Sequence, residues 1–569
     1  MQTLLRHVPL VETLRTYTGA TFKGDLAAGL TTAIMLVPQA MAYAMLAGLD
    51  PIIGLYASIV PLIAYAAFGT SRQLAVGPVA MVSLLVASSV GAVAQGGTSE
   101  YLAHAVMLAA MVGALQLGMG VARLGFLVDF LSHPVVAGFT SAAALIIGLS
   151  QLEHLLGVHI PRSHYVHEVV IQAAALVGAW HWPTVGIGVA TVVALTLMKE
   201  LTPEVPRFLV VVAASTAVVW GFGLDADGVK IVGEVPAGLP TPSLPTFDLE
   251  AFKALLPMAI TISLVGFMES ISVAKRFARA HRYEIDANQE LKGLGMANLM
   301  GSLFSAYPTT GGFSRTAVNA QAGAQTGVAA IITAVAVAVT LLFLTPLFTF
   351  LPKAVLAAII MTAVFGLIDH EEARHLWAVS KPDLTMMAIT FVATLVLGIE
   401  QGILIGVVAS LAWFVKRAST PHIAVLGRMP GMEIYRNLER NPDARPIPGV
   451  LLLRVDAPLF YANVGLFKST LESLEEEHEG IQHVVLDARA IGDVDASAMS
   501  TLEEIIDDHG GRGIQLWIAG MHGPVKDALT RAQLVERLGE EHFVYRVHHA
   551  VEAIGPRLKV HDQLEGGAA

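Results

Sequence analysis

Glu269 and Arg315 are ionisable side chains set in apolar surroundings. Glu269 follows Thr261, Ser263 and Gly266 in an otherwise apolar helical run, and Arg315 closes the string Gly311-Gly312-Phe313-Ser314-Arg315. Gln39 and Tyr43 belong to a third string, Val37-Pro38-Gln39-Ala40-Met41-Ala42-Tyr43, and a fourth segment starts abruptly at Gly77-Pro78-Val79-Ala80. A helix that begins inside a membrane leaves its first N–H groups without intrahelical partners and carries a partial positive charge there. Two such N-termini meeting head to head form an anion pocket. Gly77 and Gly311-Gly312 let a ligand approach the backbone closely, and Pro78 gives up only an N–H that had no helical partner at that position. Arg315, in the first turn of the second half-helix, adds a full positive charge. The chemistry of this set is the binding of a small anion, with contacts expected from Gln39, Tyr43, Gly77, Val79, Ala80, Glu269, Gly312, Phe313, Ser314 and Arg315.

Glu269 has a second expected role. An ionisable group deep in an apolar helix faces a cavity or another charge. Its protonation depends on whether an anion shares Arg315, which is a route to proton coupling; the plainer alternative is a structural partner for Arg315. For Gln39 the expected role is hydrogen bonding to the substrate, against satisfying the backbone broken near Pro38. Tyr43, one turn on, is weighed against ordinary packing.

These residues need a membrane domain to position them. The chain has 569 residues, 54% hydrophobic and only 14% charged, against roughly 25% charged in a typical soluble chain. Residues 1–420 carry 21 Lys+Arg and 23 Asp+Glu, whereas the much shorter 421–569 carries 14 and 23. A large membrane domain is therefore followed by a small soluble one. That excludes a purely soluble enzyme and a secreted disulfide scaffold. Neither part has the basic surplus that nucleic acid would need. With no cysteine there is no thiolate metal site and no cysteine nucleophile.

Residues 1–24 do not read as a signal peptide, so the N-terminus is expected in the cytoplasm. Fourteen apolar segments follow between residues 26 and 417, several too short for the ~20 residues that cross a hydrocarbon core. The short ones are expected as half-helices packed inside protein. With the N-terminus inside, sixteen basic residues fall on the cytoplasmic side and four, Arg162, Lys230, Lys253 and Lys353, outside. Both termini are then cytoplasmic, in a cell inner (plasma) membrane. Pro38-Gln39 interrupts the first segment and Gly77 opens another 38 residues after Gln39, while Glu269 interrupts the eighth and Gly311 opens another 42 residues on. Seven segments per half is odd, so the halves, about 25–225 and 250–420, must be inverted. Paired Gly/Pro-broken segments at matching places point to a midplane site in a secondary transporter.

The chain resembles the SulP family of anion transporters, which includes sulfate, bicarbonate and dicarboxylate permeases and mammalian anion exchangers with the motor prestin. The residues that carry the resemblance are Asp25-Leu26-Ala27-Ala28-Gly29-Leu30, Val37 to Ala44, Pro51-Ile52-Ile53-Gly54-Leu55-Tyr56, Val76-Gly77-Pro78, Asn288-Gln289-Glu290-Leu291 and Phe313 to Asn319, followed by a soluble tail. The resemblance implies a polytopic α-helical membrane protein of 14 transmembrane segments in a 7+7 inverted repeat of the uracil-permease type. A core of segments 1–4 and 8–11 would move against a gate of segments 5–7 and 12–14, elevator fashion, in a homodimer. It places the anion near Gln39, Ala80, Glu269 and Ser314-Arg315. Sodium-coupled bicarbonate members carry an aspartate at the Glu269 position and a threonine one turn later. This chain has Val273 there, so a proton, or electroneutral exchange, is favoured over sodium. A nucleobase permease of the same fold would need two acidic residues for a neutral ring. A motor or scaffold that senses anions without turning over is a reading from another class. Which anion is carried, among sulfate, bicarbonate, dicarboxylates and chloride, stays open.

Strand–helix alternation marks residues 421–560 as a compact α/β domain, cytoplasmic in this topology, with 561–569 as a flexible tail. Gly449–Asn463, His483–Asp487 and Ile514–Ala519 read as strands, and Leu466–Glu477, Ala498–Asp508 and Pro524–Ala532 as helices. This part resembles the STAS domain shared with anti-sigma-factor antagonists. Asp495 reads as a helix cap, with Ser497 beside it a small polar residue and, in the alternative, a regulatory or partner-docking position for a cytoplasmic protein. Glu475-Glu476-Glu477 reads as a solvated helix end, and no glycine-rich phosphate loop is present. His154, His159, His164 and His167 are too irregularly spaced for a metal site. Trp180 and Trp182 fit an aromatic belt at the lipid interface. No cofactor and no enzymatic residue set is expected.

Overall fold

Hydrocarbon offers no partners to backbone N–H and C=O groups, so apolar segments must fold as helices that satisfy their own. The computed structural model describes residues 8–126, 132–160, 166–202, 205–478 and 480–555. Arg162, His164 and the 561–569 tail lie outside the described residues. Two compact units divide the chain at Met1–Ser410 and Leu411–Ala569.

Helical elements occupy each of the fourteen apolar segments. Among the described residues, nine helices are long and apolar enough to cross a membrane. Six helices frame the site: α1 Gly19–Leu46, α2 Ala80–Val90, α3 Ser99–Val121, α4 Leu249–His281, α5 Ala287–Ser302 and α6 Phe313–Gln321. Thr18 caps α1 by accepting Thr21 N–H, and Asp248 caps α4 by accepting the N–H groups of Glu250 and Ala251. The helices sort into two groups. α5 packs on α3 and on Val60–Phe68, and Val328–Val339 packs on α1; separately, Lys381–Leu397 packs on His133–Ser150, and Trp182–Leu201 on Lys353–Phe365. These are the core and gate of the expected architecture. The α3–α5 crossing depends on small residues, because a Cβ on Gly113 would lie 2.5 Å from Leu299 N and one on Gly295 would lie 2.5 Å from Leu117 N.

Two of the expected interruptions are absent. α1 runs unbroken through Pro38, and α4 through Glu269. A proline inside a helix loses one backbone bond and crowds the preceding turn, but membrane helices accommodate it when neighbours pack around it; Pro38 is buried among such neighbours. A glutamate breaks no helix at all, since its backbone retains both its donor and its acceptor. The breaks that do occur are in the partner segments. Val76–Gly77 (β1) and Thr310–Gly311 (β2) form an antiparallel pair, Val76 opposite Gly311 and Gly77 opposite Thr310, and α2 and α6 start just beyond it.

The second unit is a six-stranded sheet in the order β4-β3-β5-β6-β7-β8. β3 (Ile423–Arg428) and β4 (Tyr435–Asn437) are antiparallel additions at one side, and β5 (Val450–Val455), β6 (His483–Asp487), β7 (Gln515–Ala519) and β8 (Phe543–Val544) run parallel. Helices Val464–Glu477, Ala496–Arg512 and Gly523–Arg531 cover it, burying Phe467, Leu471, Leu502 and Leu529 against Leu451, Leu453 and Leu486. The strand expected over Gly449–Asn463 stops at Val455, where Asp456 and Pro458 end the ladder; Leu459 makes only an isolated bridge to Val494. Glu475 is not part of a solvated helix end. Its side chain is 2% exposed and bonds His509 Nε2 and Arg512 Nη1, each at 2.6 Å. It lies one turn beyond Leu471 on the buried face of its helix, which a run of three glutamates conceals in the sequence.

Candidate functional site

The two half-helices are held together before any ligand is considered. Beyond the β1–β2 pair, Gly312 N–H donates to Ala75 C=O at 3.1 Å, and Ala75 N–H donates to Thr316 Oγ1, also at 3.1 Å. Gly311 N–H donates to Ser270 Oγ at 2.8 Å, and Thr310 Oγ1 donates to Gly266 C=O at 2.6 Å, fastening β2 to α4. Asn298 on α5 bonds Thr309 and Gln116, and Gln116 donates to Ser263 C=O. Two buried carboxylates secure the flanking loops. Glu290 accepts the N–H groups of Thr70 and Ser71 and the hydroxyls of Thr70 and Tyr65. Asp25 accepts the N–H groups of Gln325 and Thr326 and the hydroxyls of Thr326 and Tyr17.

Arg315 is 1% exposed, among the largest fully buried side chains of the protein. Its Nη1 donates to Pro78 C=O at 2.6 Å, tying the second half-helix to the start of the first. Its Nε and Nη2 have no partner. A Cβ on Gly77 would lie 3.5 Å from Nη2, and one on Gly312 would lie 3.0 Å from it, so both glycines leave room beside these free donors. Neither α2, which begins after Val79, nor α6, which begins after Gly312, has a side-chain cap. Tyr43, Tyr307 and Glu269 are within electrostatic reach of the guanidinium. Glu269 Oε2 and both amide atoms of Gln39 are also buried without a partner. A buried polar group left unpaired costs about 1–3 kcal/mol, and such groups are few in native proteins. Five atoms of mixed donor and acceptor character on Arg315, Glu269 and Gln39 are thus orphaned, unlike the paired polar groups around them.

The structure thus brings Gly77, Val79, Gly312 and Arg315 into direct proximity, with Ala80 opening α2 and with Tyr43 and Glu269 in range. Phe313 and Ser314 behave differently. Both are exposed, and the Phe313 ring sits 6.4 Å from that of Phe277, with the Arg276 guanidinium over it at 5.1 Å. Ser497 belongs to the other unit, exposed in the first turn of its helix, where Asp495 accepts Ala498 N–H at 2.8 Å. Sequence reasoning missed Ser270, Thr310, Asn298, Gln116 and Tyr307, polar residues in apolar segments whose pairing is visible only in three dimensions. A polar cavity of about 440 Å³ lies away from this site, beside the Asp25 and Glu290 anchors, lined by Thr16, Tyr17, Thr70, Arg72, Gln325 and Thr326 among others. It lacks the orphaned buried donors and acceptors of the half-helix site. Among the described residues, no cluster of His, Asp and Glu able to hold a metal ion is present.

Comparison with known proteins gives a consistent result. The sequence profile described as the sulfate permease family matches residues 22–390, and that of the STAS domain matches 441–550. "Sulfate transporter 4.1, chloroplastic" of Arabidopsis thaliana is 43% identical over 96% of this chain and 82% of its own length. "High affinity sulfate transporter 2" of Stylosanthes hamata is 35% identical over 96% and 86%. Among solved structures, murine Solute Carrier 26 family member A9, an anion transporter in the inward-facing state, superposes with a TM-score of 0.91 at 25% identity, covering 98% of this chain and 95% of that one. The transmembrane domain of a cyanobacterial bicarbonate transporter, BicA, gives 0.61 at 26% identity over 69% and 98%.

Proposed function

The chain belongs to the sulfate permease family, whose members are anion transporters and not enzymes, and on that premise we propose that it is a secondary active transporter of a small oxoanion, with sulfate the first candidate. The observation that carries this reading is Arg315, buried, with two unpartnered donors facing the uncapped N-termini of two half-helices. A tetrahedral dianion suits that arrangement, because it can take the guanidinium donors and backbone N–H groups at once. The names of the relatives support sulfate over bicarbonate, and the geometry is compatible with either.

The half-helices, held to each other and to α4, support a mechanism in which the core carries the anion past the gate as one piece. Glu269, half-buried beside Arg315 and with an orphaned oxygen, is the coupling residue: it takes up a proton when the anion occupies Arg315 and releases it with the anion. Val273 offers no side-chain oxygen one turn on, which argues against sodium. We assign the functional form as a homodimer in a cell inner (plasma) membrane, termini in the cytoplasm, with residues 25–420 as the transporter and 421–560 as a docking domain for a cytoplasmic partner.

Uptake of radiolabelled sulfate by proteoliposomes tests the proposal. Accumulation driven by an inward proton gradient, lost in Arg315→Ala, is the expected result. Uptake that survives Arg315→Ala, or absence of flux for sulfate, bicarbonate and dicarboxylates alike, would overturn it.

A further inference from the structure

Three polar residues follow Glu269 down one side of α4 at helical spacing. Glu269, Ser272, Arg276 and Arg279 are separated by three, four and three positions, which keeps them within one face. Glu269 is half-buried, whereas Ser272, Arg276 and Arg279 are exposed. The neighbouring residues Phe267, Ile271 and Ala274 are fully buried against the core. In the topology above Arg276 and Arg279 fall on the cytoplasmic side, and Ser272, exposed between them and Glu269, is a polar position that suits water or a cavity better than lipid. Arg276 lies about 10 Å along the helix from Glu269. Its guanidinium is held over the ring of Phe313, itself 42% exposed and two residues before Arg315. Ser314 is exposed at the same place. Helix α4 and the half-helix α6 therefore share an exposed edge that carries Arg276, Phe313 and Ser314, next to Arg315 in the chain.

We propose that this stripe is the access path of the anion and that Arg276, fixed on the Phe313 platform, is a positioning residue that collects the anion before it reaches Arg315. This rests on the anion-transport reading above and extends it to residues that do not touch the bound substrate. A cation at the mouth of a low-dielectric cleft raises the local concentration of anions and their rate of arrival. The ring limits where the guanidinium can move, so its charge stays over the cleft instead of turning outward.

The chain has no cysteine, so Ser272→Cys introduces a single thiol halfway along the path. The experiment compares its rate of modification by an anionic and by a neutral methanethiosulfonate reagent in the full-length protein. The anionic reagent should be favoured, and adding Arg276→Gln should lower the anionic-to-neutral rate ratio by roughly tenfold at low ionic strength, a difference that fades in high salt. Tyr461→Cys, 76% exposed in the soluble unit, reports reagent quality and folding. An unreactive Ser272→Cys beside a reactive Tyr461→Cys overturns the path. A ratio unmoved by Arg276→Gln, and by salt in the Arg276 background, overturns the collecting role even if the double variant folds poorly. Sulfate should slow modification of Ser272→Cys. Reactivity and an Arg276 effect without sulfate protection leave the path standing and count against sulfate as the substrate, so the two readings fail separately.

Discussion

Asn298 holds Thr309 by both of its backbone groups: Oδ1 accepts Thr309 N–H at 2.7 Å, and Nδ2 donates to Thr309 C=O at 3.0 Å. The same amide reaches Gln116 at 3.0 Å, so one side chain on α5 sets the position of β2 relative to α3. Truncation orphans buried groups on Thr309 and Gln116. Asn298→Ala should lower thermal stability by an amount corresponding to about 1–3 kcal/mol per orphaned group and should weaken anion-induced stabilisation. A thermal-shift titration with sulfate checks both, and unchanged melting and unchanged titration would mean that β2 is positioned by other contacts.

At Arg315 the shape of the cation matters as well as its charge. Arg315→Ala should abolish sulfate-induced stabilisation, and Arg315→Lys should restore only part of it, since an ammonium keeps the charge but cannot bond Pro78 C=O and a ligand through a rigid fork. Charge-assisted bonds contribute about 1.5–3 kcal/mol, which corresponds to roughly 10- to 100-fold in affinity. Calorimetric titration with sulfate measures the difference directly; full affinity in Arg315→Lys would reduce the site to a point charge.

For Glu269 the informative variant is Glu269→Gln, which keeps the shape and removes the titration. Sulfate–sulfate exchange should persist, while accumulation driven by a proton gradient should be lost. A sodium gradient should have no effect on either protein. Proton-driven accumulation that survives the substitution would assign coupling elsewhere.

The Glu475 pair in the soluble unit predicts a large effect from a residue that looks like surface. Glu475→Ala leaves His509 buried without its carboxylate and frees Arg512 from one of its two acidic partners. Leaving a buried hydrogen-bonding group without its partner costs about 1–3 kcal/mol, while Glu476→Ala, its exposed neighbour, should be nearly neutral. Hydrogen exchange of β6 and β7 in the intact protein distinguishes the two.

Asp456 gives a pH dependence with a defined sign. Partial burial pushes its carboxyl up, but hydrogen bonds from Arg454 at 2.6 and 3.0 Å and from His422 at 3.0 Å outweigh this, and it titrates below the usual aspartate range. A carboxyl whose folded pKa is depressed contributes stability above its unfolded pKa and loses it as pH falls through the folded one. Asp456→Asn should therefore be less stable than the parent at neutral pH, and the gap should close as pH drops below about 4. A gap independent of pH would assign the effect to packing.

Much of this was legible in the sequence because it depends on local composition. Gly77-Pro78 and Gly311-Gly312 announce half-helices, and Arg315 stands out among apolar neighbours. Pro38 misled because sequence shows the missing N–H but not the packing that compensates for it. Glu475 misled because hydropathy assigns three glutamates in a row to water, although the helical turn points one of them inward. Strand β8 is only two residues long, and β3 and β4 lie in the connection beyond the last apolar helix, where no strong alternation sets them apart. Asn298, Gln116 and Ser270 are ordinary polar residues until partners far away in the chain come to meet them.

The β1–β2 pair has a consequence for biogenesis. Val76 and Gly77 leave the ribosome long before Thr310 has been synthesised, so the first half of the transporter is inserted with an open strand edge whose mate does not yet exist. Such an edge cannot stand bare in lipid. The nascent first repeat must keep those amides wet or shielded, by translocon or chaperone, until the second repeat arrives and closes the seam, and a chain cut between the repeats can mature only if its pieces find each other there.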